Sequence, residues 1–201
     1  DLHSFPTRRS SDLVGGMVNL QDFLSGFDIA GATDGILLNN EEDMRDFADF
    51  LSQFAKPGTV IALYGDLGVG KTTFSRYFAE KLGVTEKVSS PTFTILHEYH
   101  SGNLPLFHFD LYRVLDLDEI CEFADEYFYG DGVCLIEWAE NAHELIPEDA
   151  IRLKLSYGDD ENERVVIFAS ADENESGAEE YEFQDEGMQE LYEVFGEDFS
   201  I

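Results

Sequence analysis

An α/β fold of three layers on a mixed, mostly parallel central sheet is what this sequence predicts, and three features carry the prediction. A β-branched apolar run, Thr59-Val60-Ile61-Ala62-Leu63-Tyr64, feeds straight into a glycine-rich segment and then into residues with helical spacing. Two further apolar runs, Leu106-Phe107-His108-Phe109-Asp110 and Val133-Cys134-Leu135-Ile136-Glu137, each end in a carboxylate. They have the near-continuous hydrophobicity of strands covered on both faces. Amphipathic helical patterns precede and separate these runs, an alternation that lays helices over a largely parallel sheet.

The elements follow in order. Residues 1–13 hold Arg8-Arg9 amid Ser, Thr and Pro with no periodicity; they read as vector- or adapter-derived sequence and are set aside from fold reasoning. Residues 14–35 are glycine-punctuated and weakly patterned, so residues 1–35 are expected to be a non-native leader and a weakly structured N-terminus. The folded domain is expected over 36–170. From Glu41, Met44, Phe47, Phe50, Leu51 and Phe54 recur at helical spacing. Glu41, Glu42 and Asp43 complement the dipole of that helix's first turn, and Pro57-Gly58 stops it. The second helix runs from Lys71 through Phe74, Phe78 and Leu82 to Gly83. Residues 92–99 and 104–110 read as strands around a Ser101-Gly102-Asn103 turn, residues 116–124 as a short helix, and residues 133–137 as a buried strand. Residues 150–155 and 164–168 read as a hairpin around Tyr157-Gly158-Asp159-Asp160. Residues 171–201 are expected to be an acidic extension in which Met188, Leu191, Tyr192 and Phe195 give a short helical pattern.

Composition narrows the function. With 201 residues and 43% hydrophobic content the chain can bury the core of one ordinary domain, and one domain with a terminal extension is the expectation. The 43 acidic residues against 12 basic ones set the net charge at −31. Such a field repels bare nucleic acid and anionic membranes, so any dealing with RNA goes through a partner or a small local patch. The acidity is uneven: residues 159–201 carry 16 acidic residues and one arginine, Arg164. Two cysteines, Cys121 and Cys134, make no disulfide framework and no metal-spaced pair, and both are expected to be half-buried core thiols. With no signal-peptide h-region and no membrane-length apolar stretch, the chain is expected to be soluble and cytoplasmic.

The segment Gly65-Asp66-Leu67-Gly68-Val69-Gly70-Lys71-Thr72 fits G-x-x-x-x-G-K-[ST], the phosphate-binding loop of P-loop nucleotide hydrolases. Glycines allow backbone conformations closed to larger residues, so successive N–H groups turn toward one anion while the next helix points its positive end at it. Lys71 is placed to bridge β- and γ-phosphate oxygens, the Thr72 hydroxyl to ligate Mg²⁺, and Thr73 to bond near the α-phosphate. Hydrolysis also needs carboxylates. Asp110 and Glu137 stand at the C-terminal edges of their strands, where open α/β sheets bind ligands. Either acid can hold Mg²⁺ directly, hold it through water, or polarise the attacking water, and the residues alone leave those roles open. Ser89-Ser90-Pro91-Thr92-Phe93-Thr94 is a hydroxyl-rich turn, either a γ-phosphate-sensing switch or an ordinary connection. Trp138, the only tryptophan, is either a core anchor or a lid beside the nucleotide. The histidines show no metal-ligand spacing, and His108 is expected to pack in or beside its strand and not to act as a base.

Four segments together resemble one family: Gly65-Asp66-Leu67-Gly68-Val69-Gly70-Lys71-Thr72-Thr73, Ser90-Pro91-Thr92-Phe93-Thr94, His108-Phe109-Asp110-Leu111-Tyr112-Arg113 and Leu135-Ile136-Glu137-Trp138. They are similar to the TsaE (YjeE) ATPases, which serve in making the threonylcarbamoyl modification of adenosine 37 in tRNAs reading ANN codons. The order and spacing hold from about residue 36 to 155. The resemblance implies a small P-loop fold with a mixed sheet, ATP and Mg²⁺ as cofactors, weak intrinsic ATPase activity, and work in complex with TsaD and TsaB, with tRNA met only indirectly. Hydrolysis then turns the modifying complex over and does not itself build the threonylcarbamoyl group. By position, Lys71 and the loop amides hold the phosphates, Thr72 and Glu137 ligate Mg²⁺, and Asp110 is the second functional acid. Residues 40–44 align with the family's adenine-side contact but lack its threonine. Ala139 stands where relatives commonly have proline after the tryptophan.

Two other readings compete. A small-molecule P-loop kinase needs several lid and acceptor-site arginines, and after the leader the chain offers only Arg45, Arg76, Arg113, Arg152 and Arg164. A nucleotide-dependent binding switch would use the bound shape to recruit a partner. No Asn-Lys-x-Asp guanine-reading signature appears, which favours ATP over GTP.

Overall fold

Side chains alternate between the faces of a sheet, so a strand buried on both sides divides its residues between two cores. The computed structural model describes residues 28–30, 35–91, 93–114 and 117–169 and shows that division. The strands are β1 (Asp28–Ala30), β2 (Gly35–Leu38), β3 (Thr59–Tyr64), β4 (Leu96–Tyr99), β5 (Leu106–Asp110), β6 (Val133–Glu137), β7 (Ile151–Tyr157) and β8 (Arg164–Phe168). They form one sheet in the order β1-β2-β8-β7-β3-β6-β5-β4. Helices α1 (Glu41–Ser52) and α2 (Lys71–Lys81) cover one face; α3 (Asp118–Phe128) and a 3₁₀ segment (Ala139–Leu145) cover the other. This is the three-layer α/β fold on a mixed sheet that the sequence predicts, with one correction: the sheet is not mostly parallel, since four of its seven strand pairings among the described residues are antiparallel. Its parallel pairing is confined to the centre, where β3 lies between β7 and β6, and β6 continues to β5. Both flanks are antiparallel.

Alternation accounts for the two cores. Ile61 and Leu63 of β3, Leu106 of β5, and Val133 and Leu135 of β6 face α1 and α2, joining Phe47, Phe74 and Phe78. Val60, Ala62, Phe107, Phe109, Cys134 and Ile136 face α3 and meet Ile120, Ala124 and Phe128. By the same parity His108, Asp110 and Glu137 fall on the α2 face. Each fully buried Leu, Ile or Phe contributes about 1.5–3 kcal/mol. The exposed pairs between α1 and α2, Arg45–Glu80 and Arg76–Glu41, are of a kind worth about 0–1 kcal/mol. Apolar burial therefore seats α2 against the sheet.

Local chemistry sets the boundaries. Asn40 caps α1, its Oδ1 accepting the N–H of Glu42 at 2.8 Å and of Asp43 at 3.1 Å. Gly83, at φ 86°, follows α2. β4 starts later than the expected residue 92, because the chain turns after Pro91: the N–H groups of Thr94 and Ile95 both bond the Pro91 carbonyl at 2.9 Å. β5 starts at Leu106 and not at 104, since Pro105 has no N–H to give a ladder. α3 runs on to Phe128, past the expected end at 124, because Phe123, Tyr127 and Phe128 continue the aromatic packing on Phe109. β1 occurs where the sequence pattern gave no strand and pairs Ile29 opposite Ile36. Cys134 is buried, its thiol pushed up to about 12 by desolvation, and is an inert core group. Cys121 corrects the expectation of two core thiols: it lies on the solvent side of α3. The leader, the acidic extension and its helical pattern around Met188, Leu191, Tyr192 and Phe195 lie outside the described residues, as does Thr92. No helix among the described residues is long and apolar enough to cross a membrane.

The acidity marks α1. Half-buried Asp46 is held above its ordinary carboxyl value of 3.8 by burial and by Glu42, Asp43 and Asp49, with Lys81 opposing. A carboxyl raised on folding is an electrostatic cost once it ionises and none below its unfolded value. Asp46→Asn should therefore raise stability at neutral pH by about 0.5 kcal/mol, the scale of like-charge helix pairs. Denaturant midpoints should show the gain vanishing as pH falls below 3.8.

Candidate functional site

The carboxyl end of β3 runs into residues 65–70, whose glycines take conformations that side chains resist. Gly65 has φ 124°, Gly68 φ 78° and Gly70 φ 116°. The first bond of α2 is Phe74 N–H to the Gly70 carbonyl at 2.9 Å. The amides of Lys71, Thr72 and Thr73 lie ahead of it, at the helix's positive end. Lys71 is buried, and its ammonium donates to the carbonyls of Gly65 and, at 2.9 Å, Asp66. It also sits 3.6 Å from the centroid of the Trp138 ring. Burial holds that ammonium below the usual lysine range, against the pull of Glu140, Glu137, Asp110 and Asp66. A desolvated cation beside a helix N-terminus is a strong anion ligand.

The loop is braced by the neighbouring β7–β8 hairpin. Tyr157 Oη donates to the Leu67 carbonyl at 2.9 Å, and Arg164 Nε to the Val69 carbonyl at 2.8 Å. Arg164 also lies over the Tyr157 ring, 4.6 Å from its centroid. Val69 is buried under the loop, Leu67 projects to solvent at 71% exposure, and Asp66 and Gly68 are exposed.

The two predicted acids come together. Asp110 and Glu137 are register partners at the ends of β5 and β6, and Glu137 is paired likewise with Leu63 just before the loop. Both acids are buried, Asp110 at 3% and Glu137 at 2% exposure. Glu137 Oε2 accepts the Thr72 hydroxyl at 2.7 Å. Its Oε1 lies 3.1 Å from Ser75 Oγ and 2.7 Å from His108 Nε2. Asp110 accepts the Ser90 hydroxyl on one oxygen and the Tyr112 N–H on the other at 3.0 Å. Ser90-Pro91 is thereby tied to the second acid. Half-buried Trp138, at φ 60°, lies against Lys71 and 4.7 Å from the Tyr112 ring, beside the loop and not deep in the core. Thr73 is half-buried next to Thr72.

The residues fit a Mg-nucleotide. Adjacent ligands of octahedral Mg²⁺, bound at 2.0–2.1 Å, stand about 2.9 Å apart. Thr72 Oγ1 and Glu137 Oε2 are 2.7 Å apart. Among the described residues no group of three or more His, Cys, Asp and Glu side chains could hold a metal ion by itself. The donor set is one hydroxyl and one carboxylate, which suits a cation that keeps waters and takes phosphate oxygens.

The family model of the threonylcarbamoyl adenosine biosynthesis protein TsaE matches residues 38–166, from the end of β2 into β8. The chain belongs to the TsaE family. It is 50% identical over 125 residues to the tRNA threonylcarbamoyladenosine biosynthesis protein TsaE of Bacillus subtilis (strain 168), covering 62% of this chain and 78% of that protein. To the protein of the same name from Treponema pallidum (strain Nichols) it is 36% identical over 127 residues, 63% of this chain and 93% of that one. The crystal structure of Bacillus subtilis YdiB matches with a TM-score of 0.58 at 38% identity, covering 79% of this chain and 90% of that chain. Every site residue named above lies inside the TsaE match.

Sequence reasoning did not find Ser75, Tyr157 or Arg164, and it took His108 for a packing residue. Ser75 was findable, one helical turn beyond Thr72 on the same face. So was His108, two residues before Asp110 on the same strand and hence on the same side of the sheet. Tyr157 and Arg164 act across 90 and 95 residues of chain and leave no local signal. The loop gives a direct test. At Gly65 a Cβ would collide with the Leu155 carbonyl, at a φ that side chains rarely adopt. Gly65→Ala should therefore cost at least about 2 kcal/mol in denaturant unfolding. Val69→Ala, which leaves the loop backbone free to keep its shape, should retain nucleotide binding.

Proposed function

We propose that this TsaE-family chain is the ATP-hydrolysing component of tRNA threonylcarbamoyladenosine biosynthesis, a Mg-dependent P-loop ATPase of weak intrinsic activity. The observation that carries the proposal is the apposition of Thr72 and Glu137 at 2.7 Å, directly beneath a glycine loop that leads into α2. In this reading the amides of residues 65–73 and the Lys71 ammonium bind the β- and γ-phosphates. Thr72 and Glu137 hold Mg²⁺, whose chemistry is to screen the charge that builds on the phosphate oxygens. Asp110 is the second acid, a metal ligand directly or through water. Its bond to Ser90 supports the reading of residues 90–94 as the segment that senses the γ-phosphate. Trp138 shields Lys71 from solvent, which strengthens its attraction for phosphate.

The partner side of the proposal is TsaD with TsaB. A net charge of −31 opposes direct tRNA contact, which supports a role met through a protein assembly, in the cytoplasm. Hydrolysis there would reset the assembly.

Lys71→Ala should abolish nucleotide binding by the full chain in calorimetry; wild-type affinity in that variant would overturn the site. Glu137→Gln and Asp110→Asn should bind ATP yet hydrolyse it at least about tenfold more slowly, since loss of even an outer-shell metal partner costs about 10–100-fold. Wild-type turnover in both would mean that the working acids lie elsewhere. Adding purified TsaD–TsaB should raise the ATPase rate and co-purify with the chain. Stimulation by a small phosphate acceptor instead would make it a kinase.

A further inference from the structure

Ser75 and His108 converge on one oxygen of Glu137, and phosphate binding accounts for neither. Both are fully buried, each at 0% exposure, on the α2 face of the sheet. Glu137 Oε1 lies 2.7 Å from His108 Nε2 and 3.1 Å from Ser75 Oγ, while Oε2 alone receives the Thr72 hydroxyl. The two carboxylate oxygens are thus differentiated. Oε1 faces inward to the His108 ring and to Ser75, whose one proton is shared with the Lys71 carbonyl, and Oε2 faces the loop.

The state of the imidazole follows from its surroundings. His108 Nδ1 is buried without a hydrogen-bond partner among the described residues. A proton on Nδ1 would leave an unmade donor in an apolar core and set the Nε2 lone pair against a carboxylate oxygen. A proton on Nε2 removes both faults, so His108 donates to Oε1. The matter is geometric as well. The terminal torsion of a glutamate is broad, and a carboxylate held by one donor can swing. With Oε1 held from β5 by His108 and Oε2 from α2 by Thr72, and with Ser75 dividing its one proton between Oε1 and the Lys71 carbonyl 3.0 Å away, the plane of the carboxylate is set.

We propose that His108, seconded by Ser75, is a positioning residue that pins Oε1 of Glu137 and so presents Oε2, beside the Thr72 hydroxyl, to the cation of a Mg-nucleotide. The role rests on the nucleotide reading of the site and adds to it the residues that aim its carboxylate. It matches a general pattern in which the hydrogen-bond partners of a metal ligand fix its orientation and tune its affinity.

The test uses the full-length chain and ADP, which is not turned over. Trp138, the only tryptophan and in contact with Lys71, supplies the fluorescence signal. ADP is titrated at a series of Mg²⁺ concentrations into wild type, His108→Leu, His108→Gln and Ser75→Ala. His108→Leu should keep wild-type affinity for metal-free ADP and need roughly tenfold more Mg²⁺ to tighten it. His108→Gln, whose side-chain amide can donate to Oε1, should return most of that loss, and Ser75→Ala should shift in the same direction by less. Unchanged Mg²⁺ dependence in His108→Leu, or a His108→Gln variant as impaired as the leucine one, overturns the proposal. If His108→Leu does not fold, the wild-type protein decides: ¹⁵N spectra of its histidines should show a buried ring protonated at Nε2, and a ring protonated at Nδ1 alone, with Nε2 bare, overturns the role. A wild type with no Mg²⁺-linked ADP binding would overturn the nucleotide reading itself, an outcome distinct from wild-type behaviour in the variants.

Discussion

A carboxylate sealed at the edge of the central sheet is the constraint to which the rest of the structure answers. Glu137 is 2% exposed, and an ion taken out of water without partners costs several kcal/mol. Its partners come from separate elements: Thr72 and Ser75 from α2 and His108 from β5. To meet that demand, β5 and β6 must pair in the register that sets Asp110 against Glu137, and α2 must start where the loop delivers Lys71. The hydrophobic core is the means of holding these elements in place. Phe74 and Phe78, on the buried side of α2, press the helix onto the strand that carries Glu137.

The glycine loop is fixed from both ends of this arrangement. On one side, α2 is tied to β6 through Glu137. On the other, the β7–β8 hairpin takes the Leu67 and Val69 carbonyls through Tyr157 and Arg164. Carbonyls engaged by the scaffold complement amides turned toward an anion, since both follow from the same run of glycine conformations. The antiparallel flank is therefore part of the site's support and not a decoration on the parallel centre. The Ser90 bond to Asp110 gives the third attachment, between the second acid and the turn that follows Pro91.

Much of this was legible in the sequence because it is local or periodic. The loop motif lay between a recognisable strand and a recognisable helix, and the strands that end at Asp110 and Glu137 were bounded correctly at their C-terminal edges. What escaped was nonlocal or set by turns. The Pro91 turn shortens β4 and Pro105 shortens β5, and each acts through its fixed ring and missing N–H. α3 was cut short because its last turn is aromatic and reads as strand as easily as helix. His108 packs within its apolar strand, as the sequence predicts. The burial was read correctly, but its bond to Glu137 depends on the β5–β6 pairing, which no single strand announces.

Charge gives the site its character. The chain's net charge of −31 repels an anionic nucleotide as it repels nucleic acid. That repulsion is screened beyond about 8 Å at physiological salt, so binding is decided by the groups that line the loop. Among the described residues those groups are sparing. Lys71 is the cation inside the loop, Arg164 spends its Nε on a carbonyl, and Arg113 lies over Phe93, 4.5 Å from its centroid. Glu137 and Asp110 add negative charge where phosphates would arrive, and burial weakens the protonation of Lys71. On the proposed reading, such a site would favour a nucleotide that brings its own divalent cation, because that cation would turn both carboxylates from repulsive to attractive. The aim of the Glu137 carboxylate therefore matters more here than in a site rich in arginines.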